Sequence, residues 1–410
     1  MELYVHIPFC VRKCNYCDFL SMPADHTVRE RYVQALKNEL SFYADSIADR
    51  DRKLQTIYFG GGTPSVLSPG QLEELLSMVY KLYDADKDAE ITIEINPATI
   101  DYDGLHKIKE AGFNRLSIGL QSANDEELKL LGRIHTYEQF LDTYHNARKA
   151  GFANINIDCM SSLPGQRLDT YIDSLHKIVN LQPEHISSYS LILEEGTPFY
   201  QRFHDHPEKY FDEDLDRQMY HETKRILKEN GYERYEISNY AKNGFESRHN
   251  SGYWTRIPYL GVGLGASSFL FGKRTKNMDD MEHYLSYWTE QKKNMSGLGN
   301  QMAYCSFPMP DETLWCGEKT ARDMERYCEI EAVTAEDAMA EYFYLGLRMS
   351  KGVSIREFEK KFGISVYERY GQELELCQKE KLLTLDPFAD RIALTDFGMD
   401  VSNWVFEKFI

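Results

Sequence analysis

LYVHIPFCVRKCNYC, residues 3–17, joins a short apolar strand to a loop that carries Cys10, Cys14 and Cys17. Three thiolates at this spacing can reach one small centre of a soft metal. An electron-transfer iron–sulfur cluster normally takes four cysteine ligands, and no fourth cysteine follows closely here. A centre with one protein ligand fewer keeps an open coordination position, where a metal centre can carry out chemistry.

Zinc binding and disulfide formation are the alternatives for these cysteines. Zinc would need a fourth ligand, and the nearest histidines are His6 and His26. His6 belongs to a strand too short to fold back onto the loop, which disfavours zinc. The eight cysteines are scattered over 410 residues, and no signal peptide precedes the first strand. We therefore expect a cytoplasmic protein without disulfides.

Composition limits the class of protein. A chain of 410 residues can form one large α/β domain and a smaller one. The net charge of −18 disfavours nucleic acid as a partner, because binding to a phosphate backbone needs an excess of Lys and Arg. No apolar run reaches the roughly 18 residues of a membrane span. We expect neither a nucleic-acid partner nor a membrane span.

The order of predicted elements indicates the fold. Short β-rich runs alternate with longer helical patterns, as is typical of a parallel sheet. The predicted strands are Leu3–Ile7, Thr56–Phe59, Ile91–Ile95, Arg115–Gly119, Asn154–Asp158 and Ile186–Ser190. The predicted helices lie near Val28–Ala48, Pro69–Asp84, Tyr102–Ala111, Tyr137–Ala150 and Leu168–Asn180. Six βα units are too few to close an eight-stranded barrel, so the sequence predicts an α/β fold with an open, partial, TIM-like (βα)6 barrel.

Unusual residues cluster where these strands end. The second strand runs into Gly60-Gly61-Gly62-Thr63-Pro64, the third ends with Glu94, Gln121 follows the fourth and Asp158 ends the fifth. A tight turn or a helix cap could explain each of them alone. Parallel barrels build their sites from the carboxyl ends of their strands. Taken together, these residues predict one converging site.

The C-x-x-x-C-x-x-C spacing, with an aromatic residue before the last cysteine, resembles the radical S-adenosylmethionine (SAM) superfamily, whose fold is a partial (βα)6 barrel. The resemblance implies a 4Fe-4S cluster on Cys10, Cys14 and Cys17, with SAM chelated by the fourth iron and cleaved reductively. It further implies SAM contacts at the positions that match the motifs of the superfamily. These are Tyr4, Tyr16, Gly61, Gly62, Thr63, Glu94, Gln121, Arg133 and Asp158.

Four phrases narrow the resemblance to the oxygen-independent coproporphyrinogen III oxidase-like family. They are YVHIPFC at 4–10, GLQS at 119–122, LGRIH at 131–135 and LPGQ at 163–166. True oxidases carry a fourth cysteine two positions beyond the third, where this chain has Phe19, and an extension before the first strand. Both departures match the HemW-type heme chaperones, which bind heme and pass it to acceptor proteins.

The segment R-H-N-S-G-Y-W at 248–254 resembles the H-N-x-x-Y-W segment associated with heme in that group. The resemblance implies heme contacts at His249, Tyr253 and Trp254. An imidazole is a good axial ligand of iron, and aromatic faces suit a flat porphyrin. The alternative is that His249 is a loop histidine and that the two aromatic residues serve packing.

Two serines depart from the pattern of the family. Ser162 stands where relatives commonly have glycine, and Ser267 stands where chaperone-type relatives commonly have histidine. Neither position belongs to the predicted cluster or SAM residues. Cys305, Cys316 and Cys328 lack compact ligand spacing, so we do not expect a second cluster.

Three regions are predicted along the chain. They are the partial barrel at 1–235, a connecting segment with the H-N-x-x-Y-W and glycine-rich motifs at 236–300, and a family-type C-terminal domain at 301–410. That domain is predicted to be smaller, mainly helical and winged-helix-like, and 308–335 to be an insertion. Its predicted elements are helices Asp337–Met349, Val353–Phe362 and Val366–Leu376, a hairpin of Leu382–Leu385 and Arg391–Leu394, and a final helix Thr395–Phe406. Without a basic recognition helix, DNA binding is not expected.

The sequence thus predicts a heme chaperone that binds a 4Fe-4S cluster, SAM and heme. The expected partners are heme or another porphyrin, a heme-acceptor protein and an electron donor such as flavodoxin or ferredoxin. The alternative is an oxygen-independent coproporphyrinogen III oxidase, which forms protoporphyrinogen IX by oxidative decarboxylation. A third candidate is another porphyrin-active radical SAM enzyme.

Overall fold

The computed structural model describes residues 1–295 and 328–410. Its core is a sheet in which six strands pair in parallel and in chain order. They are β1 (Glu2–Ile7), β2 (Lys53–Gly61), β3 (Asp84–Ile95), β4 (Arg115–Gln121), β5 (Asn154–Ser161) and β6 (His185–Ser190). Each contains or largely overlaps a predicted strand, and the predicted α/β fold class is confirmed.

Helices connect these strands, as the βα pattern predicts. They are α1 (His26–Ser46), α2 (Pro69–Leu82), α3 (Tyr102–Ala111), α4 (Asp125–Leu131), α5 (Tyr137–Lys149) and α6 (Leu168–Asn180). Helix α5 begins where Thr136 and Gln139 cap each other's backbone N–H groups. Helix α4 was not predicted, because seven residues are too few for a clear helical period.

The strand faces alternate between the helices and the barrel interior. Leu3, Val5 and Ile7 of β1 are fully buried in the apolar core that β1 shares with the helices. The residues between them point to the other face, since side chains alternate along a strand. On that face Tyr4 pairs with Tyr58 of β2, and the two rings stack at 6.2 Å. The interior of the barrel is therefore lined by polar and aromatic side chains.

Short strands extend the sheet at both edges to twelve strands. Next to β6 lie β8 (Asn239–Ala241) and then β7 (Glu233–Arg234), and next to β1 lie β9 (Tyr259–Val262), β10 (Ser267–Leu270), β11 (Lys273–Asn277) and β12 (Cys328–Ala332). Strand β9 pairs in parallel with β1, and the strands beyond it are antiparallel. Residues 236–300, predicted as a connecting segment, thus contribute strands to both edges. The predicted domain bounds stay a prediction.

Four further helices lie among the described residues between β6 and position 295. They are α7 (Pro198–Phe203), α8 (Glu213–Glu229), α9 (Arg248–Trp254) and α10 (Met281–Met295). Helix α10 packs on α1, where Trp288 is fully buried and its carbonyl accepts a hydrogen bond from Asn38 Nδ2 at 3.0 Å. Cys305, Cys316 and most of the predicted insertion at 308–335 lie outside the described residues. No helix in the described ranges is both long and apolar enough to cross a bilayer.

The C-terminal region forms its own apolar core. It contains α11 (Ala335–Gly346), α12 (Ile355–Phe362), α13 (Val366–Lys379), the hairpin β13 (Leu383–Asp386) and β14 (Arg391–Leu394), α14 (Asp396–Asp400) and α15 (Ser402–Phe406). Phe343 stacks on Phe409 at 4.6 Å in its centre. The prediction of one final helix, Thr395–Phe406, is wrong. Val401, with φ −121° and ψ 32°, separates two short helices.

An ion-pair triad, in which Arg256 and Glu341 are buried and Arg274 is partly exposed, joins the barrel to the C-terminal region. Glu341 of α11 accepts from Arg256 Nε and from Arg274 Nη2, each at 2.8 Å. The side chains of Arg256 and Glu341 are only 6% and 4% exposed. Charges so well removed from water depend on each other, because an unpaired buried charge is strongly unfavourable.

Replacing Glu341 by alanine is expected to destabilise the protein by about 3 kcal/mol, because it leaves the Arg256 guanidinium buried without its carboxylate partner. Chemical denaturation followed by circular dichroism measures the change as a shift of the unfolding midpoint. Glu336→Ala, at an exposed position of the same helix, is the matched control and should change stability by less than about 0.5 kcal/mol. Equal effects of the two substitutions would contradict a structural role for the triad.

Candidate functional site

The three predicted ligand cysteines lie on one loop at the carboxyl end of β1. Backbone hydrogen bonds from Cys10 N to Met22 O at 3.1 Å and from Met22 N to Pro8 O at 2.8 Å close the base of this loop. Cys14 and Cys17 stand on a tighter turn within it, where Cys17 N donates to Cys14 O at 3.3 Å. Burial raises the pKa of Cys17 to about 11, so binding a metal there would displace a proton.

The His6 ring is hydrogen-bonded to the end of this loop. Its Nε2–H donates to Leu20 O at 2.9 Å, and its Nδ1 accepts from the Tyr4 hydroxyl at 3.0 Å. With both ring nitrogens in use, His6 has no free atom for zinc. Within residues 1–295 and 328–410, no three His, Cys, Asp or Glu side chains, the cysteines included, converge tightly enough for one metal ion.

The glycine turn after β2 packs directly against the cysteine loop. Gly62 N donates to Ile7 O at 2.9 Å, and Thr63 N donates to Phe9 O at 2.8 Å. A Cβ atom on Gly62 would stand 2.7 Å from Phe9 O, and one on Gly61 would collide with the His6 ring. The close approach of the two backbones therefore requires glycine at position 62, and the His6 ring together with a φ of 110° requires it at position 61.

Glu94 stands at the end of β3 beside this turn. Its carboxylate accepts from the Tyr58 hydroxyl at 2.8 Å and from Gly61 N at 3.2 Å. Burial raises the pKa of Glu94 to about 7, with a smaller upward effect from the neighbouring Asp158. The group is therefore poised to change charge near neutral pH.

Arg133 connects the cysteine loop to the ends of β3 and β4. Its Nη2 donates at 2.6 Å both to Asn96 Oδ1 and to Gly119 O, and its Nη1 faces Cys14 Sγ at 3.7 Å. Asn96 in turn donates to Thr63 Oγ1 at 2.7 Å. One guanidinium thus fixes the cysteine loop relative to two strands.

The remaining predicted SAM residues surround the same opening. Gln121 has a left-handed backbone, with φ 72°, and accepts from the Tyr189 hydroxyl at 3.1 Å. Asp158 accepts from Asn156 Nδ2 at 2.7 Å, and burial raises its pKa. Tyr16 packs beside an apolar cluster at the loop, and burial likewise raises its pKa.

The structure thus brings the predicted cluster and SAM residues together at the carboxyl end of the barrel. Their roles toward these groups stay predictions. The sequence did not predict a role in the site for Tyr58, which is hydrogen-bonded to Glu94, or for Asn96, which is hydrogen-bonded to Arg133. Tyr58 shares the inward face of β2 with Gly60 at a spacing of two residues, and that alternation was the signal that could have found it.

The predicted heme residues do not share one surface. The His249 ring lies inside the barrel, buried to 1% exposure, with Nδ1 hydrogen-bonded to Thr56 Oγ1 at 2.7 Å and Nε2 to the Tyr253 hydroxyl at 2.8 Å. Burial lowers the pKa of His249 to about 3. Trp254 instead lies under the guanidinium of Arg348 from the C-terminal region, at 4.3 Å from its ring centre. Heme contacts at these residues stay a prediction.

The two departing serines have distinct environments. Ser162 has a left-handed backbone, with φ 58°, which glycine adopts more readily than serine. Ser267 is part of β10, where it pairs with Lys276 of β11. Neither serine contacts the cysteine loop through a described hydrogen bond.

Comparison with known proteins agrees with this geometry. The model of the radical SAM superfamily matches residues 4–178, and the model of the HemN C-terminal domain matches residues 333–401. Coproporphyrinogen III oxidase (HemN) from Escherichia coli, described as a radical SAM enzyme, has the same fold. It superposes with a TM-score of 0.80 at 22% identity and covers 100% of this chain and 89% of its own. Fold and site together define a radical SAM protein.

Curated relatives narrow the class. The heme chaperone HemW of Lactococcus lactis subsp. lactis is 35% identical over 407 residues, which are 99% of this chain and 96% of that protein. The heme chaperone HemW of Bacillus subtilis is 33% identical over 413 residues, with 99% and 98% covered. The chain belongs to the HemW family of radical SAM proteins.

Membership in the superfamily implies a 4Fe-4S cluster and SAM, and the residues present fit both. Cys10, Cys14 and Cys17 place three free thiols on one loop and would hold a cluster with one protein ligand fewer than four. The glycine turn packs directly against this loop, so a group bound by the cysteines would lie beside the turn. Glu94 accepts from Gly61 N at 3.2 Å and places a carboxylate at the same point.

Gly61→Ala is expected to destabilise the metal-free protein by about 2 kcal/mol more than Gly231→Ala, because a new Cβ must displace a packed ring. Both glycines have positive φ, 110° and 84°, but no atom lies within 4 Å of a Cβ at Gly231. The control therefore reports the backbone strain alone, which is roughly 1–2 kcal/mol. Chemical denaturation measures both, and equal losses would show that the contact with His6 does not constrain the turn.

Proposed function

We propose that this chain is a heme chaperone of the radical SAM class. It binds a 4Fe-4S cluster, SAM and heme, and it transfers heme to an acceptor protein. The supporting observation is the near full-length similarity to two proteins named heme chaperone HemW. Phe19, which is 64% exposed, occupies the position where coproporphyrinogen III oxidases of this family carry a fourth cysteine. The absence of that cysteine supports the chaperone over the oxidase.

Residues of the barrel opening would hold the cofactors. Cys10, Cys14 and Cys17 would bind the cluster, and Gly61 and its neighbours would present backbone atoms to SAM. When bound, the cluster and SAM supply one-electron chemistry at the sulfonium centre. The chain's own part is to orient the groups and to exclude water from them.

Polar side chains around this opening would position SAM. Glu94 would accept hydrogen bonds from its ribose hydroxyls, which fits the carboxylate's place beside the glycine turn. Arg133, tied to two strands, would keep its charge directed at the cysteine loop. Further contacts are proposed at Tyr4, Tyr16, Gly62, Thr63, Gln121 and Asp158.

The proposed partners follow from the same chemistry. Heme transfer requires an acceptor protein, and a redox-active cluster requires an electron donor such as flavodoxin or ferredoxin. We place the protein in the cytoplasm, since its cysteines are free in the described residues and reduced thiols suit that compartment. Heme contacts are proposed at Tyr253 and Trp254, and the family resemblance also implies one at His249.

Titration of the anaerobically reconstituted protein with hemin tests the proposal. A saturable Soret change, followed by loss of that signal when an apo-acceptor is added, is the expected result. The same preparation is then incubated with dithionite, SAM and coproporphyrinogen III. Absence of protoporphyrinogen supports the chaperone, whereas sustained turnover would establish the oxidase. Ring opening of added heme would reveal another porphyrin-active enzyme.

SAM affinity is expected to rise with pH up to about 7 and then to level off. The folded-state pKa of Glu94 lies above its ordinary value, at about 7, so the carboxylate that accepts hydroxyl hydrogen bonds is lost below that pH. Below that pH, SAM affinity therefore falls by up to about tenfold for each unit by which the pH is lowered. Equilibrium dialysis of the reconstituted protein against labelled SAM measures this.

Glu94→Gln should bind SAM more weakly at neutral pH and should lose this pH dependence. Glu110→Gln, an exposed carboxyl of α3, is the control and should retain the wild-type profile. A pH-dependent profile that survives in Glu94→Gln would assign the titration to another group, of which Asp158 faces Glu94 most directly.

A further inference from the structure

Both ring nitrogens of His249 are engaged inside the barrel. Thr56 Oγ1 lies 2.7 Å from Nδ1, and the Tyr253 hydroxyl lies 2.8 Å from Nε2. An axial ligand must present a nitrogen lone pair to iron along an open direction. Neither nitrogen of His249 has such a direction in this structure, because the ring is enclosed on both edges.

The helix that carries His249 is fixed to the floor of the barrel. Arg248 N and His249 N donate to the Glu90 carboxylate of β3 at 3.0 and 3.1 Å. A carboxylate at the first turn is favoured by the free N–H groups and the helix dipole. Gly252 of the same helix packs against the Glu2 side chain so closely that a Cβ would collide with it. These contacts oppose a swing of His249 to the surface.

The face of the His249 ring is in contact with the predicted SAM pocket. It stacks on Tyr58 with ring centres 5.0 Å apart and planes inclined by 22°. The hydroxyl of Tyr58 donates to Glu94 Oε1 at 2.8 Å. A Cβ on Gly60 would stand 2.8 Å from Tyr58 Cε1 and 3.0 Å from Glu94 Oε1. Tyr58 is therefore confined between the imidazole below and the carboxylate above.

We propose that His249 is a positioning residue, which fixes Tyr58 and through it Glu94 in the SAM pocket, and that it is not the axial ligand of heme. The proposal rests on the SAM pocket of the proposed function. It assigns the histidine of the H-N-x-x-Y-W segment to the interior of the barrel. Heme iron would then take its protein ligand, if any, from another residue.

The proposal has an electrostatic consequence at Glu94. The Tyr58 hydroxyl stabilises the charged carboxylate, so it holds the pKa of Glu94 below the value that burial alone would set. Loosening Tyr58 should raise that pKa further. The other titratable or charged groups that face Glu94 are the same in the wild type and in variants that loosen Tyr58. They are Tyr4 of β1, Arg115 of β4, Asp158 of β5 and Tyr253 of α9.

His249→Ala, Tyr58→Phe and the double variant test the proposal in reconstituted protein. SAM affinity is measured from pH 5.5 to 8.5 by equilibrium dialysis, a range that brackets the group's pKa of about 7. Both single variants should bind SAM roughly five- to tenfold more weakly at pH 7 and shift the midpoint upward by about half a unit or more. The double variant should be no weaker than Tyr58→Phe, because both changes act through one contact.

Asn250→Ala on the same helix is the matched control. The described hydrogen bond of Asn250 uses its backbone N–H, toward Ser247 Oγ, so the SAM profile of this variant should match the wild type. If His249→Ala does not fold, His249→Gln takes its place. Its amide can bond to Thr56 but cannot stack as an aromatic ring does, so it should show the same upward shift.

Hemin titration of the same variants supplies the second readout. His249→Ala should keep hemin affinity within about twofold of wild type while its SAM profile shifts. An unchanged SAM profile would overturn the positioning role, and loss of the Soret change in His249→Ala would overturn the exclusion of His249 as ligand. Failure of the wild type to bind hemin would instead sink the heme chaperone proposal, and the SAM comparison would still decide the role of His249.

Discussion

The direct contact between the glycine turn and the cysteine loop is the constraint on which the rest of the site depends. Hydrogen bonds of 2.9 Å from Gly62 N to Ile7 O and 2.8 Å from Thr63 N to Phe9 O join the two backbones. A Cβ on Gly62 would stand 2.7 Å from Phe9 O, so space requires glycine there, whereas at Gly61 the φ of 110° requires it as well. The turn predicted to bind SAM and the loop predicted to bind the cluster are therefore joined directly, backbone to backbone.

Around the turn and the loop, the interior of the barrel is polar. The interior of a closed barrel is instead filled by apolar branched side chains. Such a lining must satisfy each buried group, since an unpaired one is costly. Asn156 Oδ1 bonds to His185 Nδ1 at 2.6 Å, and His185 Nε2 bonds to the Tyr235 hydroxyl at 2.8 Å. The hydrogen bonds of the opening thus continue toward the floor through Asp158, which bonds to the same Asn156. The interior holds side chains in place for the opening above it, which apolar packing could not do with the same directionality.

Much of this could be predicted from the sequence, because β1, β3, β4 and β5 carry apolar side chains at alternate positions, with polar or turn-forming residues where the predicted strands end. β4 and β14 begin at the predicted residue, Arg115 and Arg391. The edge strands β7 to β11 were not predicted, since these runs of two to five residues do not follow the βα pattern that identified the barrel strands. The link between Tyr58 and Glu94 joins residues 36 positions apart and needs the sheet register, which local patterns do not supply. The position of His249 depends on where a whole helix packs, so its motif alone could not tell a ligand from an interior residue.

Helix α9, which carries this motif, contacts both the barrel interior and the C-terminal region. Its first turn is bound to β3 through Glu90, and His249 reaches the ring of Tyr58 at 5.0 Å. Just past its last turn, Arg256 pairs with Glu341 at 2.8 Å. Trp254, the last residue of the same helix, lies under the Arg348 guanidinium of the C-terminal region, 4.3 Å from its ring centre. Other contacts join the two regions as well, such as the ion pairs of Arg217 with Asp400 at 3.2 Å and of Arg234 with Asp396 at 3.4 Å. Helix α9 differs from these contacts because it touches the C-terminal region at one end and the interior ring of Tyr58 at the other.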